Sequence, residues 1–128
     1  MLNFFIFFLV VLFDQITKRF LYTDLGLGNS KDFIPGIVQF TIATNTGGAF
    51  SLLREYPVFF VAIAIINMFV FSYFAFCPTV KYRNSIKMGC SFVLGGILGN
   101  LIDRISFGAV IDFIDLQFIN FAIFNIAD

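Results

Sequence analysis

The amino-acid sequence predicts an α-helical integral membrane protein with a small extracytoplasmic β-rich region. Three observations carry that expectation. Of the 128 residues, 59% are hydrophobic and only 12% charged, a balance too apolar for a soluble domain of this size. The apolar residues gather into long runs over residues 2–21, 58–77 and 88–105, each close to the roughly 20 residues that a helix needs to cross about 30 Å of hydrocarbon. The two segments expected outside the membrane, 23–57 and 106–128, instead contain stretches that alternate apolar with polar residues, as half-buried strands do. No repeat or linker interrupts the chain, so residues 1–128 read as one domain.

Composition also removes several classes of function. The net charge is zero, which argues against nucleic acid as a partner and against a polybasic membrane-surface binder. There is no histidine, so neither a histidine-based triad nor a histidine metal site can be built. Cys77 and Cys90 lack metal-ligand spacing and are expected to be reduced thiols at the cytosolic ends of two spans.

Taken in order, Leu2 to Phe13 is apolar apart from Asn3. This run is too short to span and needs Asp14 to Leu21 to complete the crossing. A secretory signal peptide fits poorly, because no Lys or Arg precedes the run and no small-x-small site follows it. Asp14 and Lys18 stand four apart with the acid first, so they can pair on one helix face. The plain reading of that pair is mutual neutralisation, with Lys18 snorkelling to the interface.

Beyond Thr23, the residues Gly26, Gly28, Asn29, Ser30, Pro35 and Gly36 read as turns. Val38, Phe40 and Ile42 then alternate with Gln39, Thr41 and Ala43, a strand pattern. The hexapeptide Asn45-Thr46-Gly47-Gly48-Ala49-Phe50 suggests a tight turn whose Asn amide can bond a neighbour or an extended ligand. Val58 to Cys77 is a clean span whose one strongly polar side chain, Asn67, is expected to bond a neighbouring helix. Pro78 closes it, and Lys81, Arg83 and Lys87 mark a short cytosolic loop.

The third span, Met88 to Ile105, carries the densest chemistry. Gly95 and Gly99 form a small-xxx-small seam on which another helix can pack closely. Asn100 and Asp103 share one face, followed by Arg104. A carboxylate at membrane depth is by default a functional site. In the last segment Ile114, Leu116 and Phe118 alternate with Asp115 and Gln117, again strand-like, with Asp115 read as a solvated edge residue.

Five blocks, in order, resemble those of the lipoprotein signal peptidase (signal peptidase II) family. They are Asp14-Gln15-Ile16-Thr17-Lys18, Asn45 to Phe50, Gly95 to Arg104, Val110-Ile111-Asp112-Phe113 and Phe124-Asn125-Ile126-Ala127-Asp128. The resemblance implies an intramembrane aspartic peptidase that removes the signal peptide from diacylglyceryl-modified bacterial prolipoproteins, N-terminal to the lipidated Cys. It implies Asp103 and Asp128 as the catalytic pair, holding one proton between them. It assigns Asn45, Gly47, Asn100, Arg104, Asn125 and Ala127 to the substrate groove, with Asp14, Lys18 and Asp112 in support. No metal or other cofactor is implied. The implied partners are membrane-embedded prolipoproteins and the bilayer, the implied location the bacterial inner membrane with the site near its extracytoplasmic face, and a monomer is expected.

Two departures from the family pattern stand out. The family carries a fourth membrane helix after the position of Asp128, and the expectation is that this helix is missing here by C-terminal truncation, which puts the activity of this chain in doubt. Gly48 stands where family members commonly have Ala. The competing expectation is a transporter or proton-conducting subunit with intramembrane acids, but such proteins are commonly built from internal repeats, and none is visible here.

Overall fold

In a computed structural model, which describes residues 1–47, 56–79 and 83–128, three helices stand beneath a three-stranded sheet. In chain order the elements are α1 (Leu2–Leu25), β1 (Ser30–Ile34), β2 (Val38–Asn45), α2 (Pro57–Phe76), α3 (Asn84–Phe107) and β3 (Val110–Leu116). Gly48, Ala49, Phe50 and Lys81 lie outside the described residues, so the expectations placed on them do too.

Among the described residues, two helices are long and apolar enough to cross a membrane by length and composition, Val58–Phe76 of α2 and Asn84–Phe107 of α3. α1, expected as the first of three spans, is not one of them, because its second half carries Asp14, Lys18 and Arg19. α3 stands between the other two. Its Gly95 faces Val10 and the Phe7 carbonyl of α1, and a Cβ at Gly95 would come within 2.7 Å of the Val10 side chain. Gly99 faces the Asp14 carboxylate so closely that any side chain there would overlap it. The small-residue seam read from the sequence is therefore the surface on which α1 rides. At the opposite end of the helices, Phe4 stacks on Phe76 at 4.0 Å between ring centroids, and Asn3 donates to the Ala75 carbonyl at 3.1 Å. Asn67 departs from expectation: its amide donates to the Ile63 carbonyl of its own helix.

α1 runs four residues beyond its expected end, and the reason is packing. Leu21 and Leu25 lie against a small core of Ile42, Ile111 and Phe113 under the sheet. The sheet is antiparallel in the order β1-β2-β3. β1 was expected as a run of turns. Its five residues are all exposed, so no alternation announces it, and pairing with β2 (Ser30 opposite Thr41, Lys31 opposite Phe40) extends it. The hairpin closes through Ile34-Pro35-Gly36-Ile37, with Ile37 N–H donating to the Ile34 carbonyl at 2.9 Å and Gly36 at φ 73°. Pro at the second position and a positive-φ Gly at the third are what a type II turn requires. β3 begins at Val110, four residues before the alternation read in the sequence, because Val110 to Phe113 is buried throughout and shows no period of two. α3 reaches it through Gly108, in the left-handed conformation at φ 75°, whose N–H donates to the Arg104 carbonyl.

Candidate active site

The residues that the family resemblance assigns to the site gather where α1, α3, β3, the end of β2 and the last residues meet, in two clusters joined by Asn100. The first is closed to solvent. Asp14 and Lys18 are 0% and 1% exposed. The Lys18 ammonium lies 2.8 Å from Asp14 Oδ2, 2.8 Å from Asp103 Oδ2 and 2.9 Å from Asn100 Oδ1. Three acceptors match its three N–H donors. The expected snorkelling of Lys18 is thus replaced by inward burial, since two carboxylates and an amide offer it more than the interface does. Gln15, which belongs to the first of the five blocks but has no role assigned from the sequence, donates to Asp103 Oδ1 at 3.0 Å and to the Gly99 carbonyl at 3.1 Å. Asp103 Oδ2 also accepts the Ile111 N–H of β3 at 3.2 Å, and Asp14 Oδ1 the Ala127 N–H at 3.2 Å. One buried cation therefore ties two helices to the strand and to the C-terminal turn.

The second cluster opens onto a cleft of about 200 Å³ lined by Asn45, Gly47, Asn100, Arg104, Asp112 and Asp128, with Val110 and residues 121–124 as its apolar wall. Asp112 points down from β3 and is 3% exposed. Its Oδ1 accepts Asn125 Nδ2 at 2.6 Å, and it is hydrogen-bonded to the Asn45 side chain. Asp128 is exposed, with Oδ1 accepting Asn100 Nδ2 at 2.8 Å and Oδ2 accepting the Asn125 N–H at 3.1 Å. Burial raises the Asp112 carboxyl from 3.8 to about 6, and the charge of Asp128 adds to the rise against the lowering effect of Asn125, Asn45 and Lys18.

The walls of this cleft are fixed by the backbone around it. Asn45 Oδ1 accepts the Gly47 N–H at 2.9 Å, a local turn that leaves its amide for Asp112. Arg104 donates to the Gly47 carbonyl at 3.1 Å and lies 5.3 Å above the Phe60 ring, so the guanidinium joins the β2 end to α2. Gly96 packs directly on the Ala127 carbonyl, leaving no room for a side chain. Below the cleft, a groove of about 640 Å³ runs down between the helices past Phe60, Ile63, Val93 and Ile97, and Asn100, Arg104 and Asp128 belong to both.

The family model for signal peptidase (SPase) II matches residues 6–128. The chain belongs to the signal peptidase II family. Among its relatives, the lipoprotein signal peptidase of Lactobacillus johnsonii is 41% identical over 121 residues, covering 94% of this chain and 77% of the relative. That of Enterococcus faecalis is 42% identical over 122 residues, covering 94% and 74%. A solved structure described as a bacterial membrane enzyme superposes with a TM-score of 0.91 at 38% identity, over 98% of this chain and 77% of that one.

In this signal peptidase II chain, Asp128, Asn45, Gly47, Asn100 and Arg104 meet at one cleft as neighbours. Asn125 bonds both Asp112 and Asp128, and Ala127 sits between Asp14 and Gly96. The expected pairing of Asp103 with Asp128 is where the structure departs from the sequence reading. Asp103 is 1% exposed, engaged by Lys18, Gln15 and Ile111, and borders a different cavity beside Tyr22, Thr44 and Phe107. The carboxylate that shares the cleft with Asp128 is Asp112. A Lys four residues after Asp14 on a buried helix face was the available signal, because such a cation needs further counter-charge and Asp103 supplies it.

Proposed function

We propose that this signal peptidase II chain is an aspartic peptidase that cleaves the signal peptide from membrane-anchored, diacylglyceryl-modified prolipoproteins, with Asp112 and Asp128 as its catalytic pair. The observation that carries the reading is the meeting of one buried and one exposed carboxylate in a cleft whose other polar groups are amides and one guanidinium. Two acids in one partly dry site share a proton, and burial assigns it to Asp112. Asp128 takes a proton from a water molecule, whose oxygen attacks the scissile carbonyl carbon. Asp112 gives its proton to the carbonyl oxygen. The tetrahedral intermediate then collapses: the C–N bond breaks, the amine leaves with a proton from Asp128, and Asp112 recovers its own from the hydroxyl.

The wider setting supports a substrate that arrives through lipid. The apolar groove leading up to Asn100, Arg104 and Asp128 suits a signal helix or acyl chains. Asn45 and the Gly47 carbonyl held by Arg104 line the path of an extended peptide. We read α1 as a third membrane span, because its charges at Asp14 and Lys18 are hidden while Phe4, Phe5, Phe8, Leu12, Phe13, Ile16 and Phe20 are each more than half exposed. The sheet then stands at the extracytoplasmic face of a bacterial cell membrane. We read the enzyme as a monomer.

The test is cleavage of a diacylglyceryl-modified prolipoprotein in membranes by three variants. Asp112→Asn and Asp128→Asn are each expected to fall to background. Asp103→Asn, which keeps an acceptor for Ile111 N–H, is expected to retain measurable cleavage. Full activity in Asp112→Asn with none in a folded Asp103→Asn would return the catalytic role to Asp103.

A further inference from the structure

We propose that Lys18 is a positioning residue for this site: it fixes the Asn100 amide so that Asn100 can only donate to Asp128, which keeps Asp128 the proton acceptor of the pair and leaves the proton on Asp112. The inference rests on the aspartic pair proposed above and asks what decides its polarity. Asn100 Oδ1 accepts from Lys18 Nζ at 2.9 Å and from Asn125 Nδ2 at 3.0 Å. With the amide turned over, its N–H groups would face an ammonium and a second amide donor. The buried charge of Lys18 therefore forces Nδ2 toward Asp128 Oδ1, at 2.8 Å. Asn125 is locked in the same manner, because its Oδ1 accepts the Ala127 N–H at 2.7 Å and its Nδ2 is left to donate. Both oxygens of Asp128 then receive a donor, which suits a carboxylate and not a carboxylic acid. Lys18 touches neither acid of the cleft; its contact with the site is the Asn100 amide, and its charge acts on Asp112 from a distance, against the burial that holds the proton there.

Arg104 and Asp112 act on Asp128 by charge, and the buried ion cluster of α1 and α3 lies behind Asn100. The charged groups of the surrounding elements are thus Asp14 and Lys18 of α1, Asp103 and Arg104 of α3, and Asp112 of β3. Simple removal of Lys18 strands two buried carboxylates, so the first variant is Lys18→Met with Asp14→Asn, which keeps the cluster's net charge. The second is Asn100→Asp, which still accepts from Lys18 but offers Asp128 no donor.

The full chain, in lipid vesicles, is assayed on a synthetic diacylglyceryl-modified peptide for kcat, KM and rate against pH, with thermal unfolding alongside. Both variants are expected to lose about 100-fold in kcat, the scale on which misplaced catalytic groups act, with KM within about twofold of the parent in the Lys18 double variant, which leaves the groove lining intact. The acidic limb of the rate profile is expected to move to higher pH. Parent-like kcat in either folded variant overturns the proposal. So does a loss of rate that tracks thermal stability while the acidic limb stays in place. If the double variant does not fold, Asn100→Asp alone decides by the same limb. Asp112→Asn and Asp128→Asn are run beside them: cleavage surviving in those two overturns the aspartic pair itself, whereas their inactivity beside an unshifted Asn100→Asp overturns only the role of Lys18.

Discussion

Replacing Asp112 with Asn should stabilise the fold while it removes the activity, and the size of the effect follows from the site. Burial lifts the Asp112 carboxyl from 3.8 to about 6. A raised folded-state value for an acid means that its ionised form is disfavoured in the native protein. The penalty is absent below the unfolded-state value, grows between the two values and is complete above about 6. A rise of roughly two units corresponds to about 3 kcal/mol. The Asn side chain keeps an oxygen for Asn125 Nδ2, while the bond from Asn45 is lost, at about 1 kcal/mol. Asp112→Asn should therefore fall about 1 kcal/mol below the parent in acid, where only the lost Asn45 bond counts, and exceed it by about 2 kcal/mol at mildly alkaline pH. The assay is reversible unfolding in detergent at both pH values, paired with cleavage of a lipid-modified substrate. A variant less stable than the parent at alkaline pH, or one that still cleaves, would refute the reasoning.

Other outcomes follow from the same geometry. The rate of the free enzyme, kcat/KM, should be bell-shaped in pH, with its basic limb set by loss of the Asp112 proton from about 6 upward; a flat profile with cleavage rate-limiting would contradict it. Gly96→Ala should cost about 1–3 kcal/mol of stability by overpacking and depress cleavage further, since its methyl meets the Ala127 carbonyl beside Asp128. Arg104→Lys should raise KM more than it lowers kcat, because a lysine cannot both hold the Gly47 carbonyl and cover Phe60. Lys18→Met alone should lower stability by about 3–5 kcal/mol by stranding Asp14 and Asp103, which thermal unfolding in detergent would measure.

The parts of this molecule written in local spacing could be read from the chain. The apolar runs marked three spans, of which α2 and α3 are long and apolar enough to cross a membrane, and the four-residue spacing of Gly95 and Gly99 marked the surface that α1 uses. The three-residue spacing of Asn100 and Asp103 put them on one helix face, and both of them meet Lys18. What spacing could not supply was the choice between two acids nine residues apart. Asp103 and Asp112 sit on different elements, and which of them meets Asp128 depends on where Lys18 ends up. β1 was hidden for a similar reason: none of its five residues is buried, so its existence depends on β2 alone.

The pairing of Asp14 with Lys18 inside one helix has a consequence for how the protein is made. A lone ammonium entering lipid would be turned back, but this one travels with its own counter-ion a single turn away. In the arrangement proposed above, with α1 as a third membrane span, α1 would insert as a nearly neutral rod and wait. When α3 arrives carrying Asn100 and Asp103, the half-satisfied cation gives the second helix one register in which to dock. Assembly and the polarity of the cleft would then be settled in the same step, by the same nitrogen atom.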